Sequence, residues 1–434
     1  MGASDTVAGD GGRFQFPQRT LPTERPSMTL HHESRRGVRA DLPHAGTSVY
    51  LDTACIGIVP QSVARAVRDF VDQVQQVPAD SGTAHHGRLN NARDAARPRV
   101  AELIGAQPQD IALVESATHG LNVAALALPL GAGDVVAMAD TEYIQMGVTW
   151  SQLARNGVKM CRIPHQDGEI TVDTIDRYLD FDVTALALSS VQWTTGYRAD
   201  IEKISEMCRD RGIMLIVDGA QHIGAVPFDV SQTPVDVLVS SGHKWLNSPF
   251  GTGFLYLSPD IRPRLNRPIS GFFAANPPAR TWGEAFLRPN ISPFQEFTYT
   301  DDARAWETGG TSNYPGGVGL SAAVKLVLDR GVDYGWECIF PLTEHLLEGL
   351  RRIDVRIVTP QAVENRSGIV TFTTGRNDSD VALAAYLSEA GVSVSVRYAG
   401  GAGGIRVSCH WSNSVADVDR LLDAVRSFSP VPAM

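Results

Sequence analysis

The 434-residue sequence has no run near the roughly 20 apolar residues that a bilayer-spanning helix needs, so no membrane span is expected. Met1 to Pro26 is Gly-rich and polar and lacks the apolar core of a secretory signal. Cysteine is scarce. The five present, Cys55, Cys161, Cys208, Cys338 and Cys409, are odd in number and form no CxxC pair. That disfavours a disulfide framework and a zinc site, and a reducing, cytoplasmic setting is expected. Basic charge is in the minority: 38 Lys and Arg against 48 Asp and Glu give a net charge of −10. A chain of that balance is a poor general nucleic-acid binder, because phosphate binding needs a basic face. With 43% hydrophobic and 20% charged residues, the composition is that of an ordinary globular protein rather than a disordered one.

Residues 1–46 lack apolar periodicity and carry the basic run Arg35-Arg36-Gly37-Val38-Arg39, so they read as a mobile tail. Residues 47–75 read as an N-terminal segment joining a small domain, 76–314 as a large domain and 315–434 as the small C-terminal domain. From about residue 97, short apolar strands alternate with helical spacing. Strands are expected at 111–114, 135–138, 158–163, 185–191, 213–217, 235–239 and 254–257. This is the pattern of βαβ units, in an α/β fold whose mostly parallel seven-stranded sheet is flanked by helices. Beyond residue 315, helices at 317–328, 343–350 and 415–428 mix with strands at 355–358, 368–372, 392–396 and 404–408, an α+β lobe. Ligands of such sheets sit at the carboxyl ends of the strands.

Asp218 stands at the end of the apolar run Ile213 to Val217, followed by Gly219-Ala220-Gln221. Lys244 comes 26 residues later in Ser241-Gly242-His243-Lys244-Trp245, after the apolar run Val235 to Val239. A lone lysine is usually a solvated one. A lysine among Ser, Gly, His and Trp beyond a core strand suits a partly desolvated nucleophilic amine. Glu115-Ser116-Ala117-Thr118-His119-Gly120 follows the first sheet strand and places a helix N-terminus, suited to an anion, at the same end.

Together, Val217-Asp218-Gly219-Ala220-Gln221 and Ser241-Gly242-His243-Lys244-Trp245 resemble the class V, fold-type I pyridoxal-phosphate enzymes. That group includes cysteine desulfurases, isopenicillin N epimerase-like proteins, kynureninases and C–S lyases. The resemblance covers about Tyr50 to Phe428. It implies pyridoxal 5'-phosphate as cofactor and Lys244 as the Schiff-base lysine that later moves the Cα proton. Asp218 would pair with the pyridine nitrogen and Gln221 with the phenolic oxygen. Ser241, His243, Ala117 and Thr118 would hold the phosphate. Tyr143, after Glu142, would stack on the ring, and Gln192 or Trp193 would approach ring or substrate. In Trp306 to Asn313 the resemblance places Thr311 on the phosphate of a second subunit, implying a homodimer with shared sites. Arg406, in Gly404-Ile405-Arg406-Val407-Ser408, would bind the substrate carboxylate, with Cys55 and His86 on the substrate side.

The resemblance implies an amino-acid substrate. A cysteine desulfurase carries a nucleophilic cysteine in the loop before that arginine, and residues 396–404 have none. Persulfide-forming desulfuration is therefore disfavoured, and C–S lyase-type β-elimination on an S-substituted cysteine is expected first. Epimerisation, with Tyr143 or Cys55 as second base, and transamination are the alternatives.

Overall fold

The computed structural model describes residues 41–42, 48–179, 182–271 and 274–428. Apart from Asp41 and Leu42, the expected tail lies outside the described residues, as do Phe272 and Phe273.

The first eight strands in chain order are β1 (Val49–Tyr50), β2 (Ile111–Val114), β3 (Val135–Ala139), β4 (Lys159–Ile163), β5 (Val183–Ser189), β6 (Met214–Asp218), β7 (Val237–Ser241) and β8 (Gly253–Leu257). β2 to β8 form one seven-stranded sheet of order β2-β8-β7-β6-β5-β3-β4. β8 runs antiparallel to both of its neighbours, and all other pairs are parallel. Such a sheet is covered on both faces, so its central strands are continuous apolar runs. β6 shows why: Leu215 and Val217 enter one hydrophobic core, while Met214 and Ile216 enter the core on the opposite face. Each such side chain, fully buried, contributes about 1.5–3 kcal/mol.

The crossover helices carry their own signals. Helix Ile201–Arg211 starts at Asp200, whose carboxylate accepts from Lys203 N, and stops at Gly212 in the left-handed conformation. Helix Ala117–Ala127 starts at Ser116, whose hydroxyl accepts from His119 N. The cap is therefore Ser116, and Thr118 lies inside the first turn.

The C-terminal part holds β9 (Arg356–Ile357), β10 (Ile369–Thr373), β11 (Val392–Ser393), β12 (Ser395–Ala399) and β13 (Ala402–Ser408). Four of these make an antiparallel sheet of order β12-β13-β10-β9. β11 instead pairs in parallel with β1, and Asp52 bridges Ser408. The N-terminal segment is thus sewn into the C-terminal lobe, and Val49 and Leu51 share a core with Phe372 and Ile405. Helix Tyr314–Leu328 packs on helices Gln61–Gln75, Gly82–Asp94 and Ala96–Leu103, and its Leu320 and Val324 enter a core of the large sheet. A boundary at 314/315 therefore falls within the first turn of a helix that packs with the large sheet. No helix among the described residues is long and apolar enough to cross a membrane.

Candidate active site

The carboxyl ends of β5, β6 and β7 deliver Ser189, Asp218 and Ser241 to one edge of the sheet. They meet the first turn of helix Ala117–Ala127 and the segment Ala54-Cys55 around a cavity of about 250 Å³. Ala117, Thr118, Tyr143, Asp218, Gln221, Ser241, His243, Lys244, Arg406 and Cys55 all line it. Chain segments far apart in sequence are held here by close backbone contact. Gly57 N donates to the His243 carbonyl at 2.7 Å. A Cβ on Gly57 would lie 2.0 Å from the Lys244 carbonyl oxygen, so only glycine allows this approach.

Lys244 carries its amine into the cavity, with Nζ 5.8 Å from the centre of the Tyr143 ring. Burial pushes its pKa below the ordinary lysine value; Asp218 opposes that shift and Arg406 adds to it. Asp218 is buried, and burial pushes its carboxyl up, against a hydrogen bond from Ala220 N at 2.8 Å and the attraction of Lys244. Gln221 is held at both ends of its amide. Its Nε2 donates to the Ala54 carbonyl at 3.0 Å, and its Oε1 accepts from Trp245 Nε1 at 2.8 Å. Nε2 keeps a second hydrogen for a ligand.

Ser241 is only 3% exposed, and its Oγ has no partner among the described residues. A buried hydroxyl without a partner is costly, so its place on the cavity wall marks a ligand position. His243 stacks on Phe250, with ring centres 4.9 Å apart. Burial, then the neighbouring Lys244, pushes its pKa down to about 4, so the imidazole is neutral. The first amides of helix Ala117–Ala127 have no acceptor within the helix. Ser241, His243 and these amides form a set of donors suited to an anion.

At the other end, Arg406 is 2% exposed. Its Nη1 donates to the Trp193 carbonyl at 3.0 Å and its Nη2 to Asp52 Oδ1 at 3.1 Å, while Nε has no partner among the described residues. Ser395 Oγ braces Asp52 from behind, donating to Oδ2 at 2.5 Å. The Tyr143 ring is 44% exposed and meets Trp193 edge-on, the centres 5.2 Å apart.

Three expected residues are not brought to the cavity wall. The Gln192 amide is engaged by the protein itself: Oε1 accepts from Thr194 N, Thr194 Oγ1 and Thr195 N of its own turn, and Nε2 donates to the distant Thr141 carbonyl. Its neighbours Val191 and Trp193 line the cavity instead. His86 turns to Tyr314, whose hydroxyl lies 2.9 Å from Nε2. Thr311 is exposed, beyond two glycines with left-handed φ of 62° and 65°.

Other residues emerge only from the fold. Glu142 accepts from Ser189 N at 2.8 Å and from Ser189 Oγ, and burial pushes its pKa up to about 7. Asp52, Ser189 and Arg397 are further polar groups at the site. Of these, Ser189 could have been read from the sequence, since it ends an apolar strand run.

A family model described as Aminotransferase class-V matches residues 49–421. A protein of Haloferax volcanii named cysteine desulfurase is 27% identical over 403 residues, which cover 87% of this chain and 88% of that protein. The apo structure of a cysteine desulfurase from Thermococcus onnurineus NA1 superposes with a TM-score of 0.78, at 22% identity, over 89% of this chain and 96% of the other. The cystine C–S lyase C-DES, in complex with its product cysteine persulfide, superposes with a TM-score of 0.79 at 23% identity, over 89% and 99%. These findings correct the expectation that put C–S lyase-type elimination first and disfavoured persulfide-forming desulfuration. The curated relative is named cysteine desulfurase, not epimerase or aminotransferase. The expectation had rested on one loop without cysteine, whereas the fold brings another thiol, Cys55, to the cavity wall.

Proposed function

Because the chain belongs to the aminotransferase class-V family, whose cofactor is pyridoxal 5'-phosphate, we propose that this fold-type I enzyme is a desulfurase of cysteine-type amino acids. The observation that carries the reading is the convergence of Lys244, Asp218, Arg406 and the Cys55 thiol on one cavity. The names of the relatives support it.

The residues present fit the cofactor. The unpartnered Ser241 Oγ, neutral His243 and the amides of Ala117 and Thr118 suit its phosphate. Asp218 suits the protonated ring nitrogen, and that cation would restore the charged form which burial disfavours. Gln221 keeps one amide hydrogen for the phenolic oxygen, and Tyr143 offers a ring face. When bound, the cofactor is an electron sink that stabilises negative charge developing at the substrate Cα.

The chain's own groups do the rest. Arg406, with Nε free, holds the substrate carboxylate and so fixes the orientation of its Cα–H. Lys244 Nζ, whose charged form burial disfavours, is the group that moves the Cα proton. Cys55 Sγ attacks the substrate sulfur and gives up its thiol proton. The Cβ–S bond breaks, an S–S bond forms on Cys55, and the electron pair left on the substrate takes a proton. Cysteine and the Cys55 thiol become alanine and a Cys55 persulfide, with no external oxidant. A homodimer, with Thr311 near the partner's phosphate site, belongs to the same reading and is tested by solution mass.

The experiment is product analysis of the cofactor-loaded protein with L-cysteine and a reducing thiol. Alanine and sulfide in equal amounts support desulfuration. Pyruvate and ammonia in place of alanine sink it.

A further inference from the structure

Two guanidinium groups line the cavity, and only one of them has a carboxylate partner. β12 and β13 form a hairpin in which Ser395 faces Arg406 and Arg397 faces Gly404. Residues two apart on a strand share a face. Arg397 therefore lies diagonally beside Arg406, opposite a residue with no side chain. The hairpin is fixed. Gly400 and Gly401 make its two-residue turn with φ of 59° and 92°, and His165 Nε2 lies 2.9 Å from the Gly400 carbonyl.

Asp52 neutralises Arg406. No carboxylate pairs with Arg397 among the described residues; the hydrogen bond it makes there runs from Nη1 to the Val396 carbonyl, at 2.8 Å. The other carboxyls near the cavity are engaged elsewhere, Asp218 beside Lys244 and Glu142 on Ser189. This end of the cavity thus holds two cations and one anion, and a low-dielectric cleft focuses such an excess on a ligand.

We propose that Arg397 is a specificity-determining residue that binds a second anionic group, at the side-chain end of an amino acid whose α-carboxylate is held by Arg406. The ligand class is an amino acid ending in a carboxylate or an ionised sulfur oxyacid, bound in preference to its neutral counterpart. This rests on the amino-acid reading above and narrows it.

The test is titration of the cofactor-loaded enzyme with two isosteric pairs, L-aspartate with L-asparagine and L-glutamate with L-glutamine, followed by the cofactor absorbance. The acidic member of at least one pair binds roughly tenfold tighter or more, as expected for a charge-assisted bond. Arg397→Gln brings that ratio close to one and leaves the affinity for the amide unchanged, while Arg397→Lys keeps part of the preference. Equal affinities within both pairs in the wild type, or a ratio that survives Arg397→Gln, would overturn the proposal. If these four and L-cysteine all leave the cofactor band unmoved, the amino-acid reading itself fails and the inference falls with it.

Discussion

Asp52 and Arg406, 354 positions apart in sequence, meet at 3.1 Å on the wall of the cavity. The pair joins the N-terminal segment to β13, at the place where the proposed function puts the substrate carboxylate. It also holds the guanidinium in place, so that the group need not be ordered on binding.

On the proposed function, replacing Arg406 removes a charge-assisted grip on the substrate. Arg406→Gln should raise KM for L-cysteine roughly 10–150-fold, from the usual 1.5–3 kcal/mol of such a bond, with a smaller effect on kcat. A fall in kcat at unchanged KM would place the arginine outside substrate binding. The variant also leaves Asp52, 14% exposed, without its cation. Thermal unfolding should therefore shift down, and Asp52→Asn in the same background should recover part of the loss.

Lys244 is predicted to be the covalent attachment point. Borohydride reduction of the loaded wild type should leave the cofactor's mass on the peptide that contains Lys244. Lys244→Ala should carry no such mass and should lose at least about 10²–10⁴ of the turnover, the range of a positioned acid/base. A cofactor mass found on another lysine would contradict the assignment.

Gly57 tests the clamp that seats the N-terminal segment on the Lys244 loop. A Cβ there would lie 2.0 Å from the Lys244 carbonyl oxygen, and that contact is backbone rather than a movable side-chain tip. Gly57→Ala should cost about 1–3 kcal/mol by overpacking and weaken cofactor retention. An unchanged melting temperature would mean that the segment shifts freely.

Glu142 gives a pH signature. Its folded pKa of about 7 lies above the ordinary 4.5, so the folded state binds the proton more tightly than the unfolded one. This contribution favours the fold below about pH 4.5 and is lost as pH rises through 7, with a size on the order of 3 kcal/mol. His222 and His410, pushed by burial down to about 3, act in the opposite sense below their ordinary 6.5. The difference between apo wild type and Glu142→Gln isolates the carboxyl. The variant should gain stability relative to wild type as pH rises from 4.5 to 7. A pH-independent difference would contradict the buried carboxyl.

The large sheet was legible in the sequence because its central strands are buried on both faces and read as unbroken apolar runs. The ends of β6 and β7 were legible for the same reason, and they carry Asp218, Ser241 and Lys244. Helix Gly82–Asp94, Gly-Thr-Ala-His-His-Gly-Arg-Leu-Asn-Asn-Ala-Arg-Asp, shows no apolar stripe and was not expected, nor was Asn377–Glu389. The first is capped by Ser81, whose hydroxyl accepts from Ala84 N, and the second buries Leu383 and Leu387, signals that a search for apolar stripes does not record. Arg397 was invisible for another reason. Its place beside Arg406 depends on the register of β12 against β13, which the turn Gly400-Gly401 sets only once the hairpin is paired. Gln192 looked like a ligand residue because it follows a strand, yet a polar turn residue can equally spend its amide on its own loop.

The most direct test of the central claim is a single turnover without reductant: loaded enzyme mixed with an equal amount of L-cysteine, quenched in acid, and analysed by peptide mass. The account predicts one added sulfur on the peptide bearing Cys55, matched by the alanine released, and neither product in Cys55→Ser. Pyruvate with an unmodified Cys55, or alanine formed undiminished by Cys55→Ser, would contradict it.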